Sequence, residues 1–382
     1  MKVPVLNVED VVRERYSAAS HAREAALCCP IDYDPQYLEV IPQAVIDRDY
    51  GCGDPSRYAR PGDTVLDLGS GGGKACFIAA QIVGAAGAVV GVDMNDDMLA
   101  LARASAPEVG DNIGYHNTRF FKGRIQDLSL DVDALDRWLT HNPVDGVAGY
   151  ARMEQEIARM RREAPLIADG SVDLIISNCV LNLVDDAQKA QLIEEIYRVL
   201  KVGGRIAISD IVSDEAVPAS LKADPELWSG CISGAFQERE LLEMLEAAGF
   251  YGIAIDQWQA APWQTVGGIE FRSVTVTAFK GKEGRCLEAN QAIIYKGPWK
   301  QVVDDDGHVF PRGERVAVCE KTFRLMTAAP YEDAIIGISP QVVPEAAALA
   351  PFTCVGVQRR DPRETRGAAH HVTLKNEGGS CC

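Results

Sequence analysis

From residue 64 to residue 209 the chain alternates short apolar runs with longer stretches whose apolar positions recur at helical spacing. Thr64-Val65-Leu66-Asp67-Leu68 follows a Pro61-Gly62-Asp63 turn, and Gly69-Ser70-Gly71-Gly72-Gly73 separates it from a helix expected over 74–83. A second buried strand, 88–93, ends on Asp93. Asn95 is placed to cap a helix over 96–104, because its side-chain oxygen can accept from the free N–H groups of a first turn. Residues 120–124 read as a third strand, 173–177 as a fourth and 205–209 as a fifth, the last preceded by an amphipathic helix over 187–200 and a Gly203-Gly204 stop. Alternating strands and helices predict an α/β fold on an open, doubly wound, Rossmann-like sheet.

Other patterns flank this repeat. Residues 9–27 carry Val11, Val12, Tyr16 and Leu27 among charged and alanine positions and predict an N-terminal helix, stopped by the turn-rich stretch 28–35. A short helix ending near Asp47 leads into a glycine-punctuated loop, 50–55. Residues 128–168 form a mostly helical insertion with Met153, Ile157 and Met160 on one face, at a place where substrate lids are commonly built. Beyond Asp210 a loop bearing Trp228, Gly230 and Cys231 precedes a helix over 238–248, and 271–279 alternates with period two as a half-buried strand. After a linker at 281–285 come short β-like runs at 292–295, 301–303 and 315–318. The organisation expected is a main domain over 1–212, an added region over 213–283, a small β-rich domain over 284–360 and a flexible, glycine-rich tail over 361–382.

With 47% hydrophobic and 24% charged residues over 382 positions, the chain has the composition of an ordinary globular protein with ample core, not of a disordered one. Its net charge of -17 repels phosphate, which excludes nucleic acid as a natural partner. No segment has the apolar length of a membrane span and no leader is visible, so a cytoplasmic protein is expected. Eleven cysteines, at 28, 29, 52, 76, 179, 231, 286, 319, 354, 381 and 382, then stand out. Their odd number, two vicinal pairs and lack of any CxxC argue against a disulfide framework or a zinc ribbon. Taken singly, each reads as a small buried hydrophobe, and Cys76, inside the helix after the glycine loop, keeps that reading.

A glycine turn between strand and helix lets a ligand approach backbone N–H groups closely, which serves dinucleotides and S-adenosylmethionine alike. Here Asp67 stands two residues before Gly69, and Gly69, Gly71 and Gly73 are spaced by two with Lys74 next, which departs from the dinucleotide fingerprint. The segment resembles the first motif of class I S-adenosylmethionine-dependent methyltransferases. That resemblance implies that Asp93 accepts both ribose hydroxyls and that Ile125 and Gln126 lie beside the adenine. It implies Tyr50, Asp67, Gly69, Gly71, Gly73, Met94 and Asn178 as the remaining cofactor-binding residues.

Three cysteines occupy loops beside this turn: Cys52 before the first strand, Cys179 directly after the fourth and Cys231 after the fifth. Loops at the carboxyl ends of such strands converge on one crevice. Three converging thiolates suit a soft, three-coordinate ion, whereas zinc asks for a fourth ligand. Tyr50-Gly51-Cys52-Gly53, Ser177-Asn178-Cys179-Val180-Leu181-Asn182-Leu183 and Leu227-Trp228-Ser229-Gly230-Cys231-Ile232-Ser233-Gly234-Ala235 resemble the three cysteine motifs of arsenite S-adenosylmethionine methyltransferases, over a match spanning 20–280.

By that resemblance Cys179 and Cys231 hold As(III) and Cys52 joins them as third ligand or in redox cycling. A further catalytic cysteine is implied upstream, a place offered by both Cys28 and Cys29 and assigned here to Cys29, as redox partner of Cys52. The implied partners are arsenite and methylarsonite as substrates and a thiol reductant of thioredoxin or glutathione type, with no nucleic acid and no membrane, for a chain acting as a monomer. Region 1–212 then binds S-adenosylmethionine and region 213–283 binds arsenite. Attack by an arsenic lone pair needs no strong base, which agrees with six histidines, at 21, 116, 141, 308, 370 and 371, that form no constellation. Two other readings share parts of this pattern: a methyltransferase acting on carbon or oxygen of a small organic acceptor, and a non-catalytic thiol-based metalloid-binding protein.

Overall fold

The computed structural model describes residues 7–22, 24, 31, 33–345 and 348–366, and the chain divides into two compact units, Met1–Gly281 and Lys282–Cys382. The first unit runs α1 (Val8–His21), α2 (Gln43–Ile46), β1 (Thr64–Leu68), α3 (Lys74–Val83), β2 (Ala88–Asp93), α4 (Asp96–Ile113), β3 (Thr118–Lys122), α5 (Val132–His141) and α6 (Val147–Glu163). It continues with β4 (Val172–Asn178), α7 (Lys189–Val199), β5 (Leu200–Ser213), α8 (Ala219–Lys222), α9 (Pro225–Ser229), β6 (Phe236–Gln237), α10 (Glu238–Ala247), β7 (Tyr251–Trp258), β8 (Gln264–Val266) and β9 (Ile269–Phe279). The sheet order is β3-β2-β1-β4-β5-β9-β7, with β6 on β5 and β8 on β9. The first five strands of that order are parallel and β9 is antiparallel to both of its neighbours. Strand order reverses between β1 and β4, so the loops leaving their carboxyl ends part and open a crevice there.

Strands covered on both faces must be apolar throughout, which is why β1, β4 and β5 read as continuous hydrophobic runs. Val65, Leu174, Ile176 and Ala207 pack with α3 and α4 on one face, while Leu66, Leu68, Ile175, Ile206 and Ile208 pack with α7 and α10 on the other. Asp67 shares the Val65 face and is 2% exposed, a carboxylate that core packing does not call for.

Four expectations are adjusted. Helix α4 continues past residue 104 and through Pro107 to a left-handed Gly114 cap, because Leu99, Ala102 and Val109 keep one face docked in the core. Gly203-Gly204 does not stand between a helix and a new strand: β5 starts at Leu200 and carries both glycines through an irregularity, where the β4 register jumps from Val172↔Leu200 to Leu174↔Arg205. The insertion 128–168 is two helices, α5 and α6. β7 and β8 were not expected; β7 is an edge strand whose residues beyond Gly252 are largely solvated, so no apolar alternation marks it.

The second unit holds β10 (Leu287–Glu288), β11 (Ala292–Tyr295), β12 (Gln301–Val303), β13 (Val309–Pro311), β14 (Val316–Ala317), α11 (Glu320–Met326), β15 (Ile335–Ile338), β16 (Ala350–Pro351) and α12 (Pro362–Arg366). Three small sheets, β14-β11-β15, β12-β13 and β10-β16, surround a core of Ile293, Tyr295, Phe310, Val316, Val318, Met326 and Ile335. No helix among the described residues is long and apolar enough to cross a membrane.

Candidate active site

The crevice at the switch point is lined by Tyr50, Asp67, Gly69, Gly71, Asp93, Met94, Ile125, Gln126, Asn178 and Cys179. Gly71 sits at φ 51° with nothing within 4 Å of the place a Cβ would occupy, so its backbone borders open space. Its N–H donates to Asp93 Oδ2 at 2.8 Å, and the Asn95 N–H donates to Asp93 Oδ1 at 2.8 Å. Those two bonds hold the carboxylate at the rim with lone pairs to spare. Enclosure pushes the Asp93 carboxyl above its ordinary range, and the backbone donors oppose that shift. Gly73 does not line the crevice. At φ 91° it caps α3, and a Cβ there would come within 2.9 Å of Phe120, so its freedom serves packing.

Asp67, next to last in β1, is almost fully buried. Burial raises its carboxyl to about 7, and the Cys76 thiol donates to its Oδ2 at 3.2 Å, which moderates the rise. Cys76 is fully buried, yet it is more than filler: α3 carries its thiol to the buried Asp67 carboxylate.

Cys52 and Cys179 are joined by a disulfide with their Cα atoms 5.9 Å apart. Asn178 explains how residues so distant in sequence meet. Its Oδ1 accepts from the Cys52 and Gly53 N–H groups at 2.8 and 3.1 Å, and its Nδ2 donates to Gly53 O at 2.6 Å, so the last residue of β4 clasps the 51–53 loop. A Cβ at Gly51 would fall 2.1 Å from Asn178 Nδ2, so only glycine permits that approach. Ser273 Oγ of β9 donates to Cys52 O at 2.8 Å from the opposite side. The partner of Cys52 in this structure is thus Cys179, whereas the sequence pairs it with Cys29. Cys28, Cys29, Cys381 and Cys382 lie outside the described residues.

Cys231 completes the trio. Its thiol donates to Cys179 O at 3.1 Å, and Asn182, fully buried, donates to both Ile211 O and Cys231 O, tying the two cysteine loops together. Cys52, Cys179 and Cys231 are 6%, 4% and 4% exposed and share a cluster with Ile211, Ile232, Ala235, Ile269 and Phe271. That apolar wall leaves little competition from water for a soft ion. Cys179 and Cys231 both occupy left-handed backbone, at φ 57° and 60°. A non-glycine residue held there costs about 1–3 kcal/mol, a strain that clusters at functional sites.

Three contributors escaped the sequence. Helix α1 reaches both ends of the crevice: Glu9 pairs with Arg124 at 2.9 Å beside Gln126, Arg15 Nη1 donates to Glu226 O at 2.8 Å, and the Tyr16 hydroxyl lies 3.9 Å from Cys231 Sγ. Burial, then Cys231, pushes the Tyr16 phenol well up. Asp210, at the end of the parallel part of β5, accepts from Leu181 and Ile211 N–H at 2.9 and 2.8 Å and so sets the turn behind Cys179; burial raises it to about 7. Lys74 donates to Asp49 at 3.0 Å and lies over the Tyr33 ring, fixing the loop before Tyr50. The exceptional backbone at Cys179 and the reach of α1 carry no local sequence mark.

A methyltransferase-domain family matches residues 59–165 and 148–249, and a domain of unknown function, DUF8838, matches residues 282–370. The arsenite methyltransferase of Aquipseudomonas alcaligenes is 32% identical over 320 residues, covering 79% of this chain and 82% of that protein. The chain belongs to the arsenite methyltransferase family. The human arsenite methyltransferase is 29% identical over 307 residues, which cover 76% of this chain and 70% of that one. The X-ray structure of the arsenic(III) S-adenosylmethionine methyltransferase of Chlamydomonas reinhardtii superposes with a TM-score of 0.55 at 27% identity, covering 85% of this chain and all of that one. The sheet of this arsenite methyltransferase is accordingly a Rossmann-like class I methyltransferase sheet, followed by a β-rich C-terminal unit.

Proposed function

We propose that this protein transfers the methyl group of S-adenosylmethionine to trivalent arsenic held by Cys52, Cys179 and Cys231, giving methylated arsenicals. The observation that carries the reading is the gathering of these three cysteines, from three distant loops, in one buried apolar cluster whose Cys179 borders the glycine-turn crevice. The crevice fits the donor: Gly71 leaves room for close approach, and Asp93 keeps lone pairs for two hydroxyls. Tyr50, Asp67, Gly69, Met94, Ile125, Gln126 and Asn178 would line the bound donor, while Gly73 shapes the turn. When bound, S-adenosylmethionine supplies an electrophilic methyl group on a sulfonium sulfur.

The chain's own residues account for the rest. With the Cys52–Cys179 disulfide reduced, arsenite exchanges three hydroxyls for three thiols and releases three waters. Thiolates return electron density to arsenic, whose lone pair remains and accepts the methyl group. The product is pentavalent. Closure of the Cys52–Cys179 disulfide seen here returns two electrons: two As–S bonds break, one S–S bond forms, and the methylated trivalent arsenic stays on Cys231 with water filling its open position and losing a proton. An external dithiol then reopens the pair by thiol exchange, so a thioredoxin- or glutathione-type reductant belongs to the cycle. Cys29 serves in this reading as a relay between that reductant and Cys52. A reducing, cytoplasmic setting suits such a cycle, and one chain supplying every group named suits a monomer.

The test is direct. Incubation with labelled S-adenosylmethionine, arsenite and a dithiol should yield labelled methylarsenicals and equimolar S-adenosylhomocysteine, and Cys179→Ser should yield neither. Label transferred to an organic acceptor, or arsenite bound with no S-adenosylhomocysteine formed, would overturn the assignment.

A further inference from the structure

The second unit contains three more cysteines that the catalytic reading does not use. Cys286 and Cys354 stand beside the short β10-β16 ladder, in which Leu287 pairs with Pro351 and Phe352 N–H donates to Cys286 O at 2.9 Å. Cys319 lies two residues beyond β14, which β11 holds in the core sheet, caps α11 and is fully buried. Three separate segments therefore converge, and the Sγ atoms of Cys286, Cys319 and Cys354 all lie within 4.8 Å of one another. All three are free thiols. No histidine or carboxylate belongs to the cluster among the described residues.

The thiols are inequivalent. Burial alone would raise Cys319, but the Thr322 hydroxyl, 3.2 Å away, and the Thr322 N–H at 3.4 Å bring its pKa below the ordinary value. Burial and the neighbouring sulfurs push Cys354 the other way. His308, Cys319 and Cys354 line one small cavity, where the His308 ring is held by a bond to Asp304 at 2.8 Å. A core that only needed small apolar volume would not gather three sulfurs from three separate segments at one point.

We propose that Cys286, Cys319 and Cys354 form a second site for trivalent arsenic, held through three As–S bonds. The donor set decides the ligand class: all sulfur calls for a soft centre, and three donors match a pyramidal ion that keeps its lone pair, where a structural zinc would need a fourth ligand. Arsenite reacts with three thiols to give the tris-thiolate and three waters, with no change of oxidation state. Choosing arsenic among soft centres rests on the proposed function; the existence of the site rests on this cluster alone.

The experiment uses the full chain with Cys28, Cys29, Cys381 and Cys382 replaced by serine, reduced with a phosphine so that no dithiol competes. Arsenite uptake by equilibrium dialysis is compared in this protein, in its Cys52, Cys179 and Cys231→Ser derivative, and in its Cys286, Cys319 and Cys354→Ser derivative. Two equivalents are expected in the first and one in each derivative, with three sulfurs about arsenic by X-ray absorption in the protein lacking the catalytic trio. Unaltered uptake on removing 286, 319 and 354 overturns this proposal; unaltered uptake on removing 52, 179 and 231 overturns the catalytic assignment and leaves this one standing. Zinc taken up by the second unit's trio in place of arsenite, or loss of its thiols to an internal disulfide under these reducing conditions, also overturns it. Since the triple variant can fail to fold, mass-spectrometric alkylation of the otherwise unaltered chain gives a second reading. Arsenite should protect all three thiols together, and their full labelling in its presence overturns the site.

Discussion

The glycine-turn end of the crevice and the thiol cluster that adjoins it at Cys179 meet the same demand, left-handed backbone at the edge of the proposed site, by opposite means. At the donor end the positive φ values fall on Gly69 and Gly71, which adopt them at no steric cost, and recognition in the proposed reading rests on the open backbone at Gly71 and the carboxylate of Asp93. At the thiol end they fall on Cys179 and Cys231, which adopt them under strain. Glycine there would be easier to fold and would carry no sulfur. The difference teaches that the glycine-turn end gains its open shape without strain, whereas the thiol end holds its sulfurs in place at the expense of stability and relies on Asn178, Asn182 and Asp210 to do so.

The sharpest break of that comparison is Cys179→Ser. Methylation of arsenite and of methylarsonite should both fall below about one-hundredth, while affinity for S-adenosylmethionine by calorimetry stays within about twofold, because no bond to the donor's proposed anchor at Asp93 changes; loss of a ligand bond worth even ~3 kcal/mol exceeds a hundredfold. Cys52→Ser should divide the substrates: arsenite fails, and methylarsonite, with only two exchangeable positions, keeps measurable turnover in a product assay when an external dithiol supplies the two electrons that the Cys52–Cys179 disulfide would return. A matching fall in donor affinity in either variant would show that the two ends are not separable.

Asp93→Ala works from the other side. Removing the acceptor for two ribose hydroxyls should weaken S-adenosylmethionine binding by roughly 2–4 kcal/mol, at ~1.5–3 kcal/mol per charged hydrogen bond with partial replacement by water. Arsenite uptake should be unaltered. Equal donor affinity in variant and parent, measured by titration calorimetry, would remove Asp93 from the site.

Strain supplies a smaller effect with an unusual sign. Cys231→Gly should abolish methylation and yet unfold at a denaturant concentration equal to or above that of Cys231→Ser, since glycine relieves a left-handed position by about 1 kcal/mol and serine does not. A glycine variant clearly less stable than the serine variant would mean that the backbone at 231 is not strained.

The last effect is a pH dependence and concerns Asp210. Its folded carboxyl is raised to about 7 from 3.8, so the folded state prefers the protonated form. That contribution is fully present below the unfolded value and is lost as pH rises through about 7. Melting temperature should therefore decline between pH 4 and pH 7 partly on account of Asp210, and Asp210→Asn should flatten the slope even if it lowers stability throughout. Parallel profiles for variant and parent would place the titration elsewhere, with Asp67 the next group to replace.

How much was legible in advance follows from the range of the interactions concerned. Strand β1, its glycine turn and α3 were readable to the residue, since a buried parallel strand, a positive-φ turn and a helix start are all written within a few neighbours. Asp93 and Asn95 were readable for the same reason, one ending a strand and the other capping a helix. Loop placement after β4 and β5 was enough to bring Cys179 and Cys231 together, though only Cys179 lines the crevice, because topology fixes where carboxyl ends of strands point. What tertiary structure alone decided is the pairing. Cys52 and Cys179 are 127 residues apart, and their contact depends on Asn178 clasping a loop that only a glycine at 51 allows. The reach of α1 to Cys231 and the meeting of Cys286, Cys319 and Cys354 are likewise hidden, since their segments share no motif spacing and touch only when sheets in each unit have formed. Local backbone preference determines elements one at a time; side chains on separate loops acquire neighbours only after burial of the apolar faces has set the elements against each other.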